Sequence, residues 1–195
     1  MVDRTVSEIE KEMDYHQEEG NLGTVMNLVD KLGNMGDRLT VAIANGDWDG
    51  ALYFESLGFD LREPFYLKIA AKHGQCEIIK HLVQRGSDVH ANGEEALCFA
   101  AEGGHLEAVQ CLVDLGADVH AQEERAVKLA THADRINVVP YLVEAGASID
   151  AVLEITGNGN FYRELHKWAQ AYKSKQTLEA KLAQKEEHTP HKTKI

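Results

Sequence analysis

The sequence predicts an all-α solenoid of about five helix-turn-helix repeats, closed by capping helices at both ends. The first observation is internal repetition: the segment GHLEAVQCLVDLGADVHA (104–121) has counterparts thirty residues upstream and thirty residues downstream. Ungapped alignment of 62–91 with 92–121 gives twelve identities, and alignment of 92–121 with 122–151 gives nine. A fixed period of this length is typical of stacked repeats. The second observation is that each unit contains two apolar stripes at helical spacing, separated by glycine.

The unit 92–121 shows how one repeat is built. Small residues on one side of its first predicted helix let a neighbouring helix approach closely, and they are followed by Gly103 and Gly104. A second apolar stripe runs from Leu106 to Val113 and stops at Gly116, which suits a left-handed helix cap. One helix pair cannot bury both of its faces, so neighbouring pairs must stack.

The N-terminal part of the chain repeats more weakly. Residues 39–61 align with 67–89 after a shift of 28, and 20–33 resemble the second helix of later units. The predicted solenoid therefore occupies 1–151 and divides into the units 5–35, 36–61, 62–91, 92–121 and 122–151. TVSEIEKEMDYHQEEG (5–20) predicts a helix that caps the stack, and a recognition helix for a partner is the alternative.

A second helical region, 152–187, is expected to close the other end of the stack. AVLEIT predicts a short helix, and GNGN (157–160) predicts a turn. A long helix should then begin near Phe161, with Leu165, Trp168 and Tyr172 on the face that covers the stack. Beyond Tyr172 the helix either runs into solvent or mediates a homodimer or a partner contact. The polar residues 188–195 predict a disordered tail.

The repeat frame resembles the ankyrin repeat. The segment AAEGGHLEAVQCLVDLGADVHA (100–121) fits the family pattern at a dozen positions, and the resemblance covers about 5–151. Two features depart from the family. The Thr-Pro-Leu-His signature is replaced by FYLK (65–68), EALC (95–98) and RAVK (125–128), and the segment before each first helix is about three residues short. Copies of this length resemble the expanded ankyrin families of large viruses, phages and some bacteria.

The resemblance implies a non-enzymatic protein-binding module with a concave recognition face. Family positions at the finger tips and on the first helices place the partner-binding residues at Arg62, Glu63, Lys72, His73, Asn92, Glu94, Glu95, Glu102, Gln122, Glu123, Glu124, Arg125 and His132. Glutamates are prominent in this set, so we expect an acidic groove that binds a protein with a basic patch. Trp48 is expected in the core, and an exposed partner anchor is the alternative.

The sequence gives little reason to expect an enzyme, a cofactor or a metal. No catalytic or nucleotide-binding motif is present, and the three cysteines form no CxxC pair. His90, His120 and Asp150 occupy equivalent repeat positions, where a metal ladder is conceivable and a role in shaping the loop is the expectation. His105 follows the turn glycine and is expected to be structural. An enzyme or metal protein on a solenoid scaffold remains the alternative.

Charge and hydropathy limit the cellular location and the class of partner that we expect. The formal net charge is −12, and acids outnumber bases 13 to 4 in residues 1–61 and 14 to 8 in 62–151. Direct nucleic-acid binding is disfavoured because phosphate contacts need a basic surface. No apolar run is long enough for a membrane span, and no signal peptide is evident, so we expect a cytoplasmic location, in the host if the protein is viral. A viral or phage antagonist of a nucleic-acid-handling or defence protein is the narrower alternative.

Overall fold

The structure is a computed structural model of the 195-residue chain. It describes residues 8, 9, 11, 12, 22–157 and 162–187. For 22–32 and 185–187 the description is confined to the backbone. These residues contain helices and turns and no strand. The helices are α1 (Leu22–Ala44), α2 (Trp48–Ser56), α3 (Pro64–Lys72), α4 (Cys76–Gln84), α5 (Ala91–Gly103), α6 (Leu106–Asp114), α7 (Ala121–His132), α8 (Val138–Glu144), α9 (Ile149–Thr156) and α10 (Arg163–Glu187).

The helices form two layers. The first-helix layer consists of α1, α3, α5, α7 and α9, packed one against the next, and the second-helix layer consists of α2, α4, α6 and α8. Contacts between successive helices are more extensive in the first layer, because the small side chains of Ala70, Ala100 and Ala130 are fully buried there. The second helices contribute larger buried side chains such as Leu82, Leu112 and Leu142. The predicted solenoid architecture is confirmed, and its core is one continuous cluster from Ile9 to Ala169.

Hydrogen bonds between turns connect the repeats. Gln75 Nε2 donates to the carbonyl of Ala44 (2.8 Å), and His105 Nε2 donates to the carbonyl of Lys72 (2.9 Å). Arg135 Nε donates in the same way to the carbonyl of Glu102 (2.7 Å). Each donor therefore satisfies a carbonyl near the end of the preceding first helix, a group that lacks a partner within its own helix. The structural role predicted for His105 matches this geometry.

Glycine makes room for these turn contacts. Gly74 has φ +72°, and a Cβ there would lie 2.8 Å from Nδ1 of His105. Gly104 has φ +79°, and a Cβ would lie 2.7 Å from Cδ of Arg135. The repeated glycine is thus required both by its left-handed backbone and by the side chain of the following repeat.

The N-terminal repeats differ from the predicted division. A boundary was expected between residues 35 and 36, yet α1 continues through Gly33 and Gly36 as one 23-residue helix. A Cβ at Gly33 would meet nothing within 4 Å, so no neighbouring side chain enters the helix there. The predicted cap at 5–20 lies mostly outside the described residues. Ile9, which is described, is helical and fully buried.

The C-terminal end agrees with the expected cap. Leu165 and Ala169 of α10 are buried, and α10 packs against α9. Trp168 and Tyr172 are partly buried against the core, with ring centroids 5.3 Å apart. From Lys173 to Gln184 every side chain is exposed, so the rest of α10 extends away from the stack. Phe161 and the predicted tail 188–195 lie outside the described residues.

Candidate protein-binding face

The first-helix face is formed by the exposed sides of α3, α5 and α7 and by the loops that precede these helices. All but one of the thirteen predicted binding residues have side chains that are exposed or partly exposed. These twelve are Arg62, Glu63, Lys72, His73, Asn92, Glu95, Glu102, Gln122, Glu123, Glu124, Arg125 and His132. Stacking of the repeats places them along one side of the solenoid. Their contact with a partner stays a prediction.

Glu94 is the clear exception. Its exposed fraction is 3%, so it does not offer its carboxylate to a partner. Asn92, Gly93 and Glu94 all have left-handed backbone angles, with φ between +54° and +67°. This turn folds the Glu94 side chain back onto His90, and Glu94 Oε2 has no hydrogen-bond partner among the described residues. The prediction of Glu94 as a contact residue is wrong because sequence spacing did not reveal the left-handed turn.

Glu124 occupies the equivalent position one repeat later, and its carboxylate also forms hydrogen bonds within the chain. Gln122, Glu123 and Glu124 repeat the left-handed turn with φ between +50° and +67°. Glu124 Oε1 lies 2.8 Å from His120 Nδ1, and its Oε2 accepts a hydrogen bond from the backbone N–H of Ser148 at 3.0 Å. Its carboxylate is therefore committed to the loop of repeat 122–151 and to the start of α9.

The two histidines of the finger turns are held by these carboxylates. His90 Nδ1 lies 2.5 Å from Glu94 Oε1, the counterpart of the pair between His120 and Glu124. The hydrogen bond and the negative charge raise the pKa of His90 above its ordinary value of 6.5, and Glu124 raises the pKa of His120 in the same way. The geometry fits the expected role of these two histidines in shaping the loop, and the groups that hold them are side-chain carboxylates. Asp150, the third member of the suggested ladder, pairs with Lys173 instead.

Sequence reasoning missed an aromatic cluster on this face. The Phe65 cluster comprises Phe65, Lys68, Glu95 and Phe99. The ammonium of Lys68 lies 5.4 Å from the ring centroid of Phe65 and 5.8 Å from that of Phe99, and its Nζ is 3.6 Å from Glu95 Oε1. Phe65 is 47% exposed. The clue lay in FYLK, where an aromatic residue stands on an exposed position of the first helix.

The helices of the first-helix face carry nearly equal numbers of acids and bases, and the loops before them add Asp60, Glu63, Asp88 and Asp118 against Arg62. With Glu94 buried and Glu124 committed, α3, α5 and α7 carry three other acids and four bases. These residues are Glu95, Glu102, Glu123, Lys68, Lys72, Arg125 and Lys128. The second helices of the same repeats carry Glu77, Glu107, Asp114 and Glu144 against Lys80. Both sides of these repeats therefore carry more acids than bases.

Arg62 and Asp60 form an ion pair in the loop before α3. Arg62 Nε donates to Asp60 Oδ1 at 2.9 Å, and the hydrogen bonds from Arg62 lower the pKa of Asp60 to about 2. Both groups are exposed. Arg62 therefore reaches a partner only as part of this pair, and its positive charge is already compensated.

Trp48 lies between the two environments considered from the sequence. It is partly buried against the core, on the second-helix side. Its ring stacks on His81 with centroids 4.6 Å apart, and the guanidinium of Arg85 lies 5.5 Å from the Trp48 centroid. Arg85 in turn pairs with Glu55. The side chain thus links α2 to α4, and its position favours a packing role over a partner anchor.

Neither metal-binding nor membrane-spanning features were found where the structure describes the chain. Within those residues no group of three or more His, Cys, Asp and Glu side chains is arranged to hold a metal ion. None of the described helices combines the length and the apolar character needed to cross a bilayer.

Comparison with known families agrees with the fold. A family model for ankyrin repeats (3 copies) matches residues 67–152. A search of curated proteins found no match. Residues 67–152, which include all of α4 to α8 and parts of α3 and α9, therefore belong to the ankyrin-repeat family. Members of this family typically act as scaffolds for protein–protein interaction, and the matched repeats indicate a protein-interaction module.

Proposed function

We propose that this non-enzymatic module binds another protein through its first-helix face, with the Phe65 cluster as the central contact. The observation that carries the proposal is the 47% exposure of Phe65 within a cluster of two aromatic rings and an ion pair. Aromatic side chains surrounded by polar groups are typical of the residues that contribute most to interface affinity. The face is also built on packed helices, so little order has to be gained on binding.

The partner is proposed to present basic side chains around an apolar contact. Glu102 and Glu123 are exposed, and neither forms an ion pair among the described residues. They lie at opposite ends of the face, at the end of α5 and in the finger turn of the next repeat. A partner that covers Phe65 would bring its periphery towards both carboxylates, where opposite charge favours association.

The experiment starts with affinity capture of the partner from the cells in which the protein naturally occurs, followed by titration of the purified pair. Phe65→Ala should weaken binding at least tenfold, because the proposed interface buries the Phe65 ring as an aromatic anchor. The double variant Glu102→Lys, Glu123→Lys should also weaken binding, and its affinity for the partner should depend less on salt concentration.

The second-helix side offers a matched control. Glu107 and Glu144 are exposed and form no ion pair among the described residues, so Glu107→Lys, Glu144→Lys changes the net charge by the same amount. It should leave affinity within about twofold, apart from a uniform electrostatic effect. Loss of binding in the control variant with retention in the first-helix variant would reject the proposed face. If the captured partner handles nucleic acid and loses its activity on binding, the protein is an antagonist of that partner.

A second contact is proposed for the exposed part of α10. Leu178 is 58% exposed and Leu182 is 53% exposed, four residues apart on one side of the helix. We propose that this stripe pairs two copies of the chain through their C-terminal helices. Light scattering after size exclusion should give a dimer mass for the native chain and a monomer mass for Leu178→Glu, Leu182→Glu. A monomer mass for both would reject this contact and leave the first-helix face unaffected.

A further inference from the structure

Two of the three cysteines meet across a repeat boundary in the second-helix layer. Cys76 is the first residue of α4, and Cys111 lies in α6. The Cys111 thiol donates to the backbone carbonyl of Cys76, with Sγ and O 3.6 Å apart. Residue spacing does not predict this contact, because the two cysteines are 35 positions apart and do not occupy equivalent repeat positions. Stacking of the second helices is what brings them together.

A polar cavity gives access to this pair. It has a volume of about 660 Å³ and is lined by both cysteines, by the turn residues Gly46 and Gln75, and by the second helices. Cys76 is partly exposed, and Cys111 is 5% exposed. A small reagent that enters the cavity therefore meets Cys76 first, with Cys111 directly behind it.

The electrostatic surroundings give the two thiols different roles. Burial raises the pKa of Cys111 to about 12, and the hydrogen bond and charge of Cys76 contribute to this shift. Lys80 acts in the opposite direction on Cys111. Cys111 therefore stays protonated, and Cys76, the more exposed of the two thiols, reacts first.

We propose that Cys76 and Cys111 form a dithiol modification site that reacts with low-molecular-weight disulfides to form an inter-repeat disulfide. The Cys76 thiolate attacks one sulfur of the small disulfide, and the first small thiol leaves as the mixed disulfide forms. Cys111 then gives its proton to solvent and attacks Cys76 Sγ, and the second small thiol leaves. In total, two protein S–H groups and one small S–S bond become one protein S–S bond and two small thiols.

This bond would join the second helices of the repeats 62–91 and 92–121. Because the first-helix layer already fixes the spacing of these repeats, the added link would restrain opening of the stack on its second-helix side. The site lies on the opposite layer from the Phe65 cluster, so its reaction does not depend on the proposed partner contact.

The test is treatment of the purified full chain with excess oxidised glutathione at neutral pH, followed by intact mass measurement and non-reducing peptide mapping. The native chain should lose two hydrogen atoms and yield one cross-linked pair of peptides containing Cys76 and Cys111, reversible by reductant. Its melting temperature should rise on oxidation. Cys111→Ala should stop at a glutathione adduct on Cys76, and Cys76→Ala should form neither product.

Cys98 supplies the matched control. It is buried in α5, away from the pair, and burial raises the pKa of its thiol. Cys98→Ala should react like the native chain. The proposal is overturned if native Cys76 keeps its glutathione adduct, if no reaction occurs, or if the cross-link involves Cys98 or a second molecule. The peptide map of the native chain tests the proposal even if one of the variants does not fold.

Discussion

The first-helix and second-helix layers are built from the same thirty-residue period and yet have different properties. In the first layer, Ala70, Ala100 and Ala130 allow neighbouring helices to approach closely. In the second layer, the buried positions are filled by Leu82, Leu112 and Leu142, and contacts between successive helices are fewer. Small residues on one side and large residues on the other bring one edge of the stack closer together than the other. The comparison shows that side-chain size at two positions of the repeat makes the two layers of the solenoid pack differently.

The two layers also differ in their chemistry. The first-helix face has charges of both signs and an aromatic cluster, whereas the second helices of repeats 62–151 carry four acids and one lysine. The second layer also holds the Cys76–Cys111 pair and its cavity. Our two proposals place recognition on the first layer and covalent modification on the second, and the following predictions test the structural part of this contrast.

The largest effect is expected from truncation in the second layer. Leu112 is fully buried, so Leu112→Ala removes a large side chain from a packed site and should lower the free energy of unfolding by about 3 kcal/mol. Urea denaturation followed by circular dichroism measures the change. Ile136→Ala, at an exposed position in the turn before α8, is the control and should change stability by less than about 0.5 kcal/mol. Equal effects at the two sites would contradict the assignment of Leu112 to the core.

Enlargement should be the more harmful change in the first layer. Ala100 is fully buried between α3 and α7, and Ala100→Leu forces these helices apart at a cost of about 2 kcal/mol. The same substitution at exposed Ala171 should have almost no effect. Chemical denaturation compares the two variants. If Ala100→Leu were as stable as the native chain, close approach of the first helices would not be what holds this layer together.

A smaller, stabilising effect is expected at the finger turn. Glu123 has φ +57°, a left-handed conformation that a side chain disfavours and that glycine adopts freely. After allowance for the greater freedom of glycine in the unfolded chain, Glu123→Gly should raise the free energy of unfolding by about 0.5 kcal/mol. Gln110→Gly, within α6, should instead lower it by about 1 kcal/mol. A loss of stability at Glu123 would show that this turn is not strained.

The smallest effect is a pH dependence of the finger turns. Glu94 and Glu124 raise the pKa values of His90 and His120 in the folded chain, with Asp88 and Asp118 contributing. This contribution to stability is complete below about pH 6.5, the unfolded value, and is lost as pH rises through the folded pKa. Denaturation midpoints should therefore fall slightly between about pH 6 and pH 8. The variant His90→Gln, His120→Gln should show a flatter profile, and an unchanged slope would reject the histidine assignment.

The sequence predicted the periodic features well because period and side-chain size are local properties. The stacked helix pairs, the second helix that ends before Gly116, and the long C-terminal helix all follow from residue spacing. The burial of Glu94 could not be predicted, because it depends on three consecutive left-handed residues that tertiary packing stabilises. The Phe65 cluster and the Cys76–Cys111 contact join residues 34 and 35 positions apart, so they are visible only when the repeats are stacked. The continuity of α1 likewise shows that a glycine ends a helix only where packing or a turn requires it.

The most direct test of the assignment of recognition to the first layer is the affinity of the captured partner for two matched double variants. Each variant replaces two exposed glutamates by lysine, at Glu102 and Glu123 on the first-helix face or at Glu107 and Glu144 on the second helices. Calorimetric titration should give at least tenfold weaker binding for the first variant and a nearly native affinity for the second. The reverse order, or an equal loss in both, would contradict recognition by the first-helix face.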